Sequence, residues 1–108
     1  MTYPTHVADY FDLIDSGDRA ATIRTFSADA RVTDDGTTYR GRDEILTWLT
    51  GAASEYTTAS THLSAETTDR GVSVLVHLEG DFAGGQVDLR HDFVLGADGL
   101  IEGLTIAV

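Results

Sequence analysis

The amino-acid sequence predicts an α+β fold, with helices in the first half of the chain packed on a sheet formed mainly by the second half. Apolar residues recur at helical spacing in the first half, whereas from Tyr56 onward they alternate with polar residues. Glycine-containing turn sequences separate the alternating segments. The 108 residues show no repeat and no linker composition, so residues 1–108 are expected to form a single domain.

The composition argues against several classes of partner and site. The net charge is -11, from eighteen acidic residues against seven basic ones, all of them arginine. Such a surface repels phosphate backbones and anionic lipid headgroups, so we expect no nucleic-acid partner and no membrane partner. The absence of cysteine excludes a disulfide framework and a thiolate nucleophile. The N-terminus lacks the features of a signal peptide, and we expect a cytoplasmic protein.

The first half of the chain is expected to contain three helices and two short extended segments. The first helix carries an apolar face at helical spacing, the second is capped by an aspartate, and the third has acidic residues in its first turn. In chain order the elements are helix Thr5 to Asp15, helix Asp18 to Phe26, strand Ala30 to Asp34, extended segment Thr37 to Arg40, and helix Arg42 to Leu49.

The second half is expected to form an antiparallel meander of four strands, Thr57 to Glu66, Val72 to Phe82, Gln86 to Leu95 and Leu100 to Val108. Successive side chains of a strand point to opposite faces. In the second of these strands the valines therefore share the inward face, while His77 and Glu79 share the outward one.

Asp34 is the first candidate for chemistry. Ala30, Val32 and Asp34 lie on one face of the first strand. If that face looks inward, burial raises the proton affinity of the carboxylate and makes it a candidate general base. The alternative is that Asp34 and Asp35 are turn-forming residues ahead of Gly36.

His91 is the second candidate, because alternation in its strand places it on the apolar face with Leu89 and Phe93. An imidazole in an apolar layer must be paired or functional, since leaving it without a partner is costly. The alternative is a core residue bonded to a backbone carbonyl or to a buried carboxylate.

The remaining histidines are expected to have no role at the site. His62 and His77 are predicted to lie on the polar faces of their strands, away from the cavity, and His6 is predicted to lie in the N-terminal turn. No pair of histidines has metal-ligand spacing, and the glycines form no phosphate-binding or dinucleotide-binding motif. We therefore expect neither a metal nor a cofactor.

Five segments of the sequence resemble the SnoaL-like and ketosteroid isomerase-like families of the nuclear transport factor 2-like superfamily. These segments are Tyr10 to Asp18, Phe26 to Asp34, Tyr39 to Ile45, Gly80 to Gly84 and Leu89 to Phe93. The resemblance implies a cone-shaped roll of three N-terminal helices packed on a curved, mixed but mainly antiparallel sheet. This fold carries isomerases, polyketide cyclases, epoxide hydrolases, dehydratases and noncatalytic modules.

The resemblance also implies roles for individual residues. Asp34 falls where the steroid isomerases have their base, and Tyr10 falls where they have a tyrosine that hydrogen-bonds the substrate oxyanion. His91 falls where they have a protonated aspartate, which is a departure from their pattern. The alternative for Tyr10 is a core aromatic residue of an amphipathic helix.

The predicted function is proton transfer next to a carbonyl group of a lipophilic substrate, catalysed by Asp34, Tyr10 and His91 without a cofactor. Phe11, Trp48 and Phe93 are predicted to line the ligand pocket. The alternative is a noncatalytic ligand-binding or dimerisation module of the same fold. Because dimers are common in the family that the sequence resembles, we also expect a homodimer formed through the outer face of the sheet.

Overall fold

The computed structural model describes residues 3–51 and 58–108. Three helices and six strands follow one another as α1 Thr5–Ser16, α2 Arg19–Thr22, β1 Phe26–Asp34, β2 Thr37–Arg40, α3 Gly41–Thr50, β3 Thr58–Thr67, β4 Gly71–Gly80, β5 Gln86–Leu95 and β6 Ile101–Ala107. The α+β fold predicted from the sequence is confirmed. Thr57, the predicted start of the first long strand, lies outside the described residues. No helix in the described part of the chain combines the length and apolarity that crossing a membrane requires.

The six strands form one curved sheet in the order β2-β1-β6-β5-β4-β3. All neighbouring strands are antiparallel except β1 and β6, which run parallel. The sheet is therefore mixed, and the meander of the second half joins the helical half through the β1–β6 pairing.

The second helix is shorter than the sequence predicted. Asp18 caps it as expected, because its Oδ1 accepts a hydrogen bond from the Ala21 amide at 3.0 Å. The α-helix nevertheless ends at Thr22, and a 3-10 turn over Ile23–Thr25 leads into β1. β-Branched residues lose side-chain freedom in a helix, and the hydroxyl of Thr25 donates to the Thr22 carbonyl at 2.7 Å.

A single apolar core lies between the helices and the inner face of the sheet. Tyr10 stands at its centre, with its ring edge-on to those of Phe26 and Phe93 at centroid distances of 5.8 and 5.5 Å. The fully buried aliphatic residues around them include Val7, Ala30, Val32, Ile45, Leu49, Val74, Ile101 and Leu104.

Helix α3 is held across β1 by Arg42. The Nε and Nη2 atoms of Arg42 both donate to the Phe26 carbonyl, at 3.1 and 2.6 Å. A charged donor bound twice to one acceptor fixes direction as well as distance. This anchor fixes the start of the helix that carries Trp48.

A β-bulge in β3 places His62 on the inner face of the sheet. The register between β3 and β4 shifts between His62 and Ser64, which leaves Leu63 without a partner. His62 is opposite the inward-facing Val76, and its ring packs on Phe11 at a centroid distance of 4.3 Å. The prediction that His62 lies on a polar face was wrong, because a bulge reverses which residues of a strand face inward.

The close approach of β4 to β5 yields a test of the fold. A Cβ atom added at Gly71 would lie 2.1 Å from the Phe93 carbonyl oxygen, whereas one added at Gly103 would meet the Val94 side chain at an ordinary 3.6 Å. We expect Gly71→Ala to destabilise the protein by about 2 kcal/mol and to lower its melting temperature by roughly 10 °C, because backbone cannot easily move aside. Gly103→Ala is the matched control, and equal melting temperatures for the two variants would contradict the prediction.

Candidate functional site

A cavity of about 720 Å³ lies between the helices and the inner face of the sheet. Helices α1 and α3 supply aromatic walls, and the sheet supplies both aliphatic and polar side chains. The residues around it include Tyr10, Phe11, Ile14, Asp34, Tyr39, Trp48, Ser60, Val76, Leu78, Phe82, Val87, Leu89, His91 and Ile106. The three predicted catalytic residues thus line the same cavity.

Asp34 is the last residue of β1, on the same face as the buried Ala30 and Val32, so the predicted alternation of this strand is confirmed. Trp48 Nε1 donates a hydrogen bond to Asp34 Oδ2 at 2.9 Å. The turn is made by the next two residues, which both have positive φ, 51° for Asp35 and 78° for Gly36. Asp34 is therefore held by α3, is partly buried and faces the cavity.

Tyr10 projects from α1 into the cavity, and its side chain is almost fully buried. Burial raises the pKa of its phenol, and the negative charges of Asp34 and Asp15 raise it further. The hydroxyl therefore stays protonated at physiological pH. It is available as a hydrogen-bond donor on the wall that it shares with Asp34.

The strand registers place Asp34 and His91 in one row across the sheet. Asp34 is opposite Ile106 in the β1–β6 pair, and Ile106 is opposite His91 in the β5–β6 pair. Neighbouring strands lie about 4.8 Å apart, so the Cα atoms of Asp34 and His91 are separated by roughly 10 Å. The carboxylate and the imidazole thus face the cavity from the two sides of Ile106.

His91 is 8% exposed, and its Nδ1 has no hydrogen-bond partner among residues 3–51 and 58–108. Burial lowers its pKa to about 4, although a backbone hydrogen bond at Leu89 acts on the ring in the opposite direction. The nearby His62 lowers the pKa further, and Asp92 raises it slightly. The ring of Phe11 lies near both imidazoles, at centroid distances of 4.3 Å from His62 and 5.8 Å from His91. His91 is consequently neutral at physiological pH.

Two of the three predicted pocket residues, Phe11 and Trp48, line the cavity. The third, Phe93, does not, because it packs behind Tyr10 and Phe11 with both ring centroids at 5.5 Å. Phe93 therefore supports the wall instead of forming its surface.

Sequence reasoning missed the hydrogen bond between Trp48 and Asp34 and the contribution of Ile106 to the cavity. The first joins residues fourteen positions apart in different elements. The second depends on strand order, which local patterns do not contain. In the described part of the chain, no three metal-ligating side chains come together.

Comparisons with known proteins identify relatives of the sequence and of the fold. A model of the SnoaL-like domain matches residues 7–102. A proposed polyketide cyclase from Sinorhizobium meliloti is 31% identical, with a TM-score of 0.89, and the match covers 96% of this chain and 94% of that one.

Two more distant structures share the fold. A Δ5-3-ketosteroid isomerase from a Mycobacterium species is 18% identical, with a TM-score of 0.80 and coverage of 99% of this chain and 94% of that one. A Mycobacterium tuberculosis protein in complex with estradiol-17β-hemisuccinate is 13% identical, with a TM-score of 0.82 and coverage of 99% and 95%. No curated protein matches the sequence significantly.

The bond between Trp48 and Asp34 can be tested by NMR, because Trp48 is the only tryptophan and gives a single indole N–H resonance. We expect Asp34→Ala to move this resonance upfield, since a hydrogen bond to a carboxylate deshields the proton. Asp35→Ala is the matched control and should leave it in place. An unchanged indole resonance in Asp34→Ala would contradict the geometry.

The buried neutral His91 predicts a loss of stability in acid. Between pH 6.5 and about 4 the unfolded chain binds a proton at His91 that the folded chain does not bind, so the free energy of unfolding decreases as pH falls through this window. The full difference is about 3 kcal/mol. Urea denaturation of wild type and His91→Phe at several pH values measures it, because the variant should lack this part of the pH dependence.

His77 does not confound this comparison. Its hydrogen bonds to Asp88 and Glu79 raise its pKa, so its contribution has the opposite sign and is lost as pH rises. It is present in both proteins and cancels. Parallel stability profiles for wild type and His91→Phe would show that His91 is not buried in the neutral form.

Proposed function

Because the chain belongs to the SnoaL-like family, we propose that it is a small-molecule enzyme that transfers a proton next to a carbonyl group of a lipophilic substrate. Isomerisation, aldol cyclisation and dehydration are reactions of this class. The observation that carries the proposal is the Asp34 carboxylate, which Trp48 orients on the wall of a largely apolar cavity that Tyr10 also lines.

The proposed step assigns one role to each of three side chains. Asp34 removes the proton from the carbon next to the carbonyl, through the carboxylate oxygen that is not bonded to Trp48. The bond electrons move into the carbonyl, and the Tyr10 hydroxyl donates a hydrogen bond to the enolate oxygen. Asp34 then returns the proton to another carbon in isomerisation. Trp48 acts by positioning the carboxylate.

The size and lining of the cavity support a small lipophilic ligand. Ligand pockets commonly measure about 300–1,000 Å³, and the cavity lies within this range. The S. meliloti relative is described as a proposed polyketide cyclase, and the M. tuberculosis protein binds a steroid ester.

The predicted role of His91 at the enolate oxygen stays a prediction. The row across the sheet puts Ile106 between His91 and Asp34. The negative charges of Asp34 and Asp15 raise the pKa of Tyr10, whereas the ionisable neighbours that act on the pKa of His91 are His62 and Asp92. This grouping favours a base and donor at one side of the cavity and a separate imidazole at the other.

The proposal is tested by proton exchange at a simple ketone, 2-tetralone, followed by NMR in deuterated water. We expect the wild-type protein to accelerate deuterium uptake next to the carbonyl, and we expect Asp34→Asn to reduce the rate by about 10²- to 10⁴-fold, since it removes the base. The melting temperature should stay unchanged or rise, because a partly buried charge is lost. Asp35→Asn is the matched control.

A noncatalytic ligand-binding module is the second candidate. The partial exposure of Asp34 favours this candidate, because proton transfer of the proposed kind is expected in a site that excludes water. A titration with 2-tetralone, observed through Trp48 fluorescence, separates the candidates when it is combined with the deuterium-uptake measurement. Saturable binding without deuterium uptake would reject the enzyme and support the module.

The homodimer and the cytoplasmic location stay predictions. The outer face of the sheet is mainly polar, with His77 bound to Asp88 and Glu79 and with Arg90 bound to Ser73. Leu75 adds a half-buried apolar side chain. A dimer through this face would therefore rest on polar contacts.

A further inference from the structure

Arg19 lies where two helices of the fold end. It is the first residue of α2, and its Nη1 atom donates a hydrogen bond to the Gly17 carbonyl at 2.7 Å. Its Nε atom donates to the Leu49 carbonyl at 3.3 Å. Gly17 caps the end of α1, and Leu49 belongs to the last turn of α3. One guanidinium group therefore connects the ends of α1 and α3.

The ends of α1 and α3 favour a positively charged donor. The last carbonyl groups of a helix have no partner within the helix and carry a partial negative charge. In α1 and α3, as the structure describes them, no basic residue occupies the last turn. Leu49 is only 1% exposed, so water is a poor substitute for a donor at its carbonyl. Arg19 supplies from α2 the charge that the last turns of both helices lack.

The guanidinium group of Arg19 packs closely against the end of α1. A Cβ atom added at Gly17 would lie 3.1 Å from Arg19 Nη1, which is tighter than ordinary van der Waals contact. Arg19 also lines the cavity, together with Tyr10 and Trp48. The link between the two helices therefore lies in the wall of the candidate site.

Helices α1 and α3 carry different parts of the proposed site. Helix α1 carries Tyr10, the proposed donor to the enolate oxygen. Helix α3 carries Trp48, whose Nε1 donates to the Asp34 carboxylate at 2.9 Å. The distance and angle between the base and the donor therefore depend on how the two helices are held against each other.

The contact of Arg19 lies at the end of α3 that would move most. Arg42 anchors the start of α3 on the Phe26 carbonyl. Trp48 follows Arg42 by six positions, which is about 9 Å along a helix, and Leu49 comes next. A tilt of α3 about the Arg42 anchor would displace the indole, and the bond from Arg19 to the Leu49 carbonyl opposes this tilt.

We propose that Arg19 is a positioning residue, which holds the end of α3 against α1 and so fixes the Trp48 indole that orients Asp34. Its effect on the reaction rests on the proposed function, whereas its hold on Trp48 does not. Arg19 acts through Trp48 and not by binding the substrate. Loss of the guanidinium donors should therefore slow proton transfer and leave the binding of a neutral ketone unchanged.

The first measurement is the Trp48 indole N–H resonance of Arg19→Met and Arg24→Met, at a temperature where both variants are folded. Methionine keeps a long flexible side chain and removes every guanidinium donor. We expect Arg19→Met to move the resonance upfield, because the hydrogen bond to Asp34 is lengthened. Arg24 is exposed in the adjacent 3-10 turn, so Arg24→Met is the matched control for charge and should leave the resonance in place.

The second measurement is deuterium uptake by 2-tetralone over a range of ketone concentrations, which gives kcat and KM. We expect Arg19→Met to lower kcat by about 10- to 100-fold with KM unchanged, since a small misplacement of a reacting group is costly. Arg19→Lys should fall between wild type and Arg19→Met, because an ammonium group donates hydrogen bonds but lacks the planar fork of a guanidinium group. Arg24→Met should match wild type.

Two results would overturn the positioning role. One is an indole resonance at its wild-type position in folded Arg19→Met, whatever the rate of uptake. The other is a rise in KM with an unchanged kcat, which would make Arg19 a ligand-binding residue. If Arg19→Met does not fold, the indole resonance of Arg19→Lys decides the question, and a wild-type position would reject the inference.

The indole resonance separates this inference from the proposed function. A shifted resonance in Arg19→Met, without deuterium uptake by the wild-type protein, would retain the hold of Arg19 on Trp48 and reject proton transfer. Uptake by the wild-type protein, with an unshifted resonance in Arg19→Met, would retain proton transfer and reject the positioning role.

Discussion

The parallel pairing of β1 with β6 is the constraint on which the rest of the structure depends. It is the only parallel pair among the described strands, and it joins the segment that follows the first two helices to the end of the meander. Through it Asp34 comes beside Ile106, and through Ile106 it comes into one row with His91. Two polar residues separated by more than fifty positions in the sequence thereby share one wall. Without this pairing the sheet would lose the edge that carries the carboxylate.

Helices α1 and α3 cover this row of residues and fix the orientation of its side chains. Arg42 fixes α3 to the start of β1, and Trp48, near the other end of the helix, binds Asp34 at the end of the same strand. One strand therefore holds the helix at both of its ends. Helix α1 covers the other side with Tyr10 and Phe11, and Phe93 supports both rings from behind. Asp34, Tyr10 and His91 thus lie on strands or a helix and not on loops, which favours a fixed geometry.

Local patterns in the sequence were sufficient for most elements and insufficient for their arrangement. The alternation through Ala30, Val32 and Asp34 was correctly interpreted because side-chain direction in a regular strand depends only on parity. The same rule failed for His62, since the bulge at Leu63 has no local signature in a stretch of Ser, Thr and Ala. The short α2 reflects competition between threonine hydroxyls and helix hydrogen bonds. The bond from Trp48 to Asp34 depends on tertiary packing, which a single sequence does not encode in any short window.

The bulge at Leu63 also affects how molecules of this protein meet. β3 and β2 form the two borders of the sheet, and β3 is the longer of them. A long border strand with regular spacing is a template on which another polypeptide adds as a further strand, the first step of fibrillar aggregation. The extra residue breaks the regular row of backbone amides and carbonyls near the middle of β3 and increases the local twist. The irregularity that turns His62 inward thus also protects the border of the sheet against uncontrolled polymerisation.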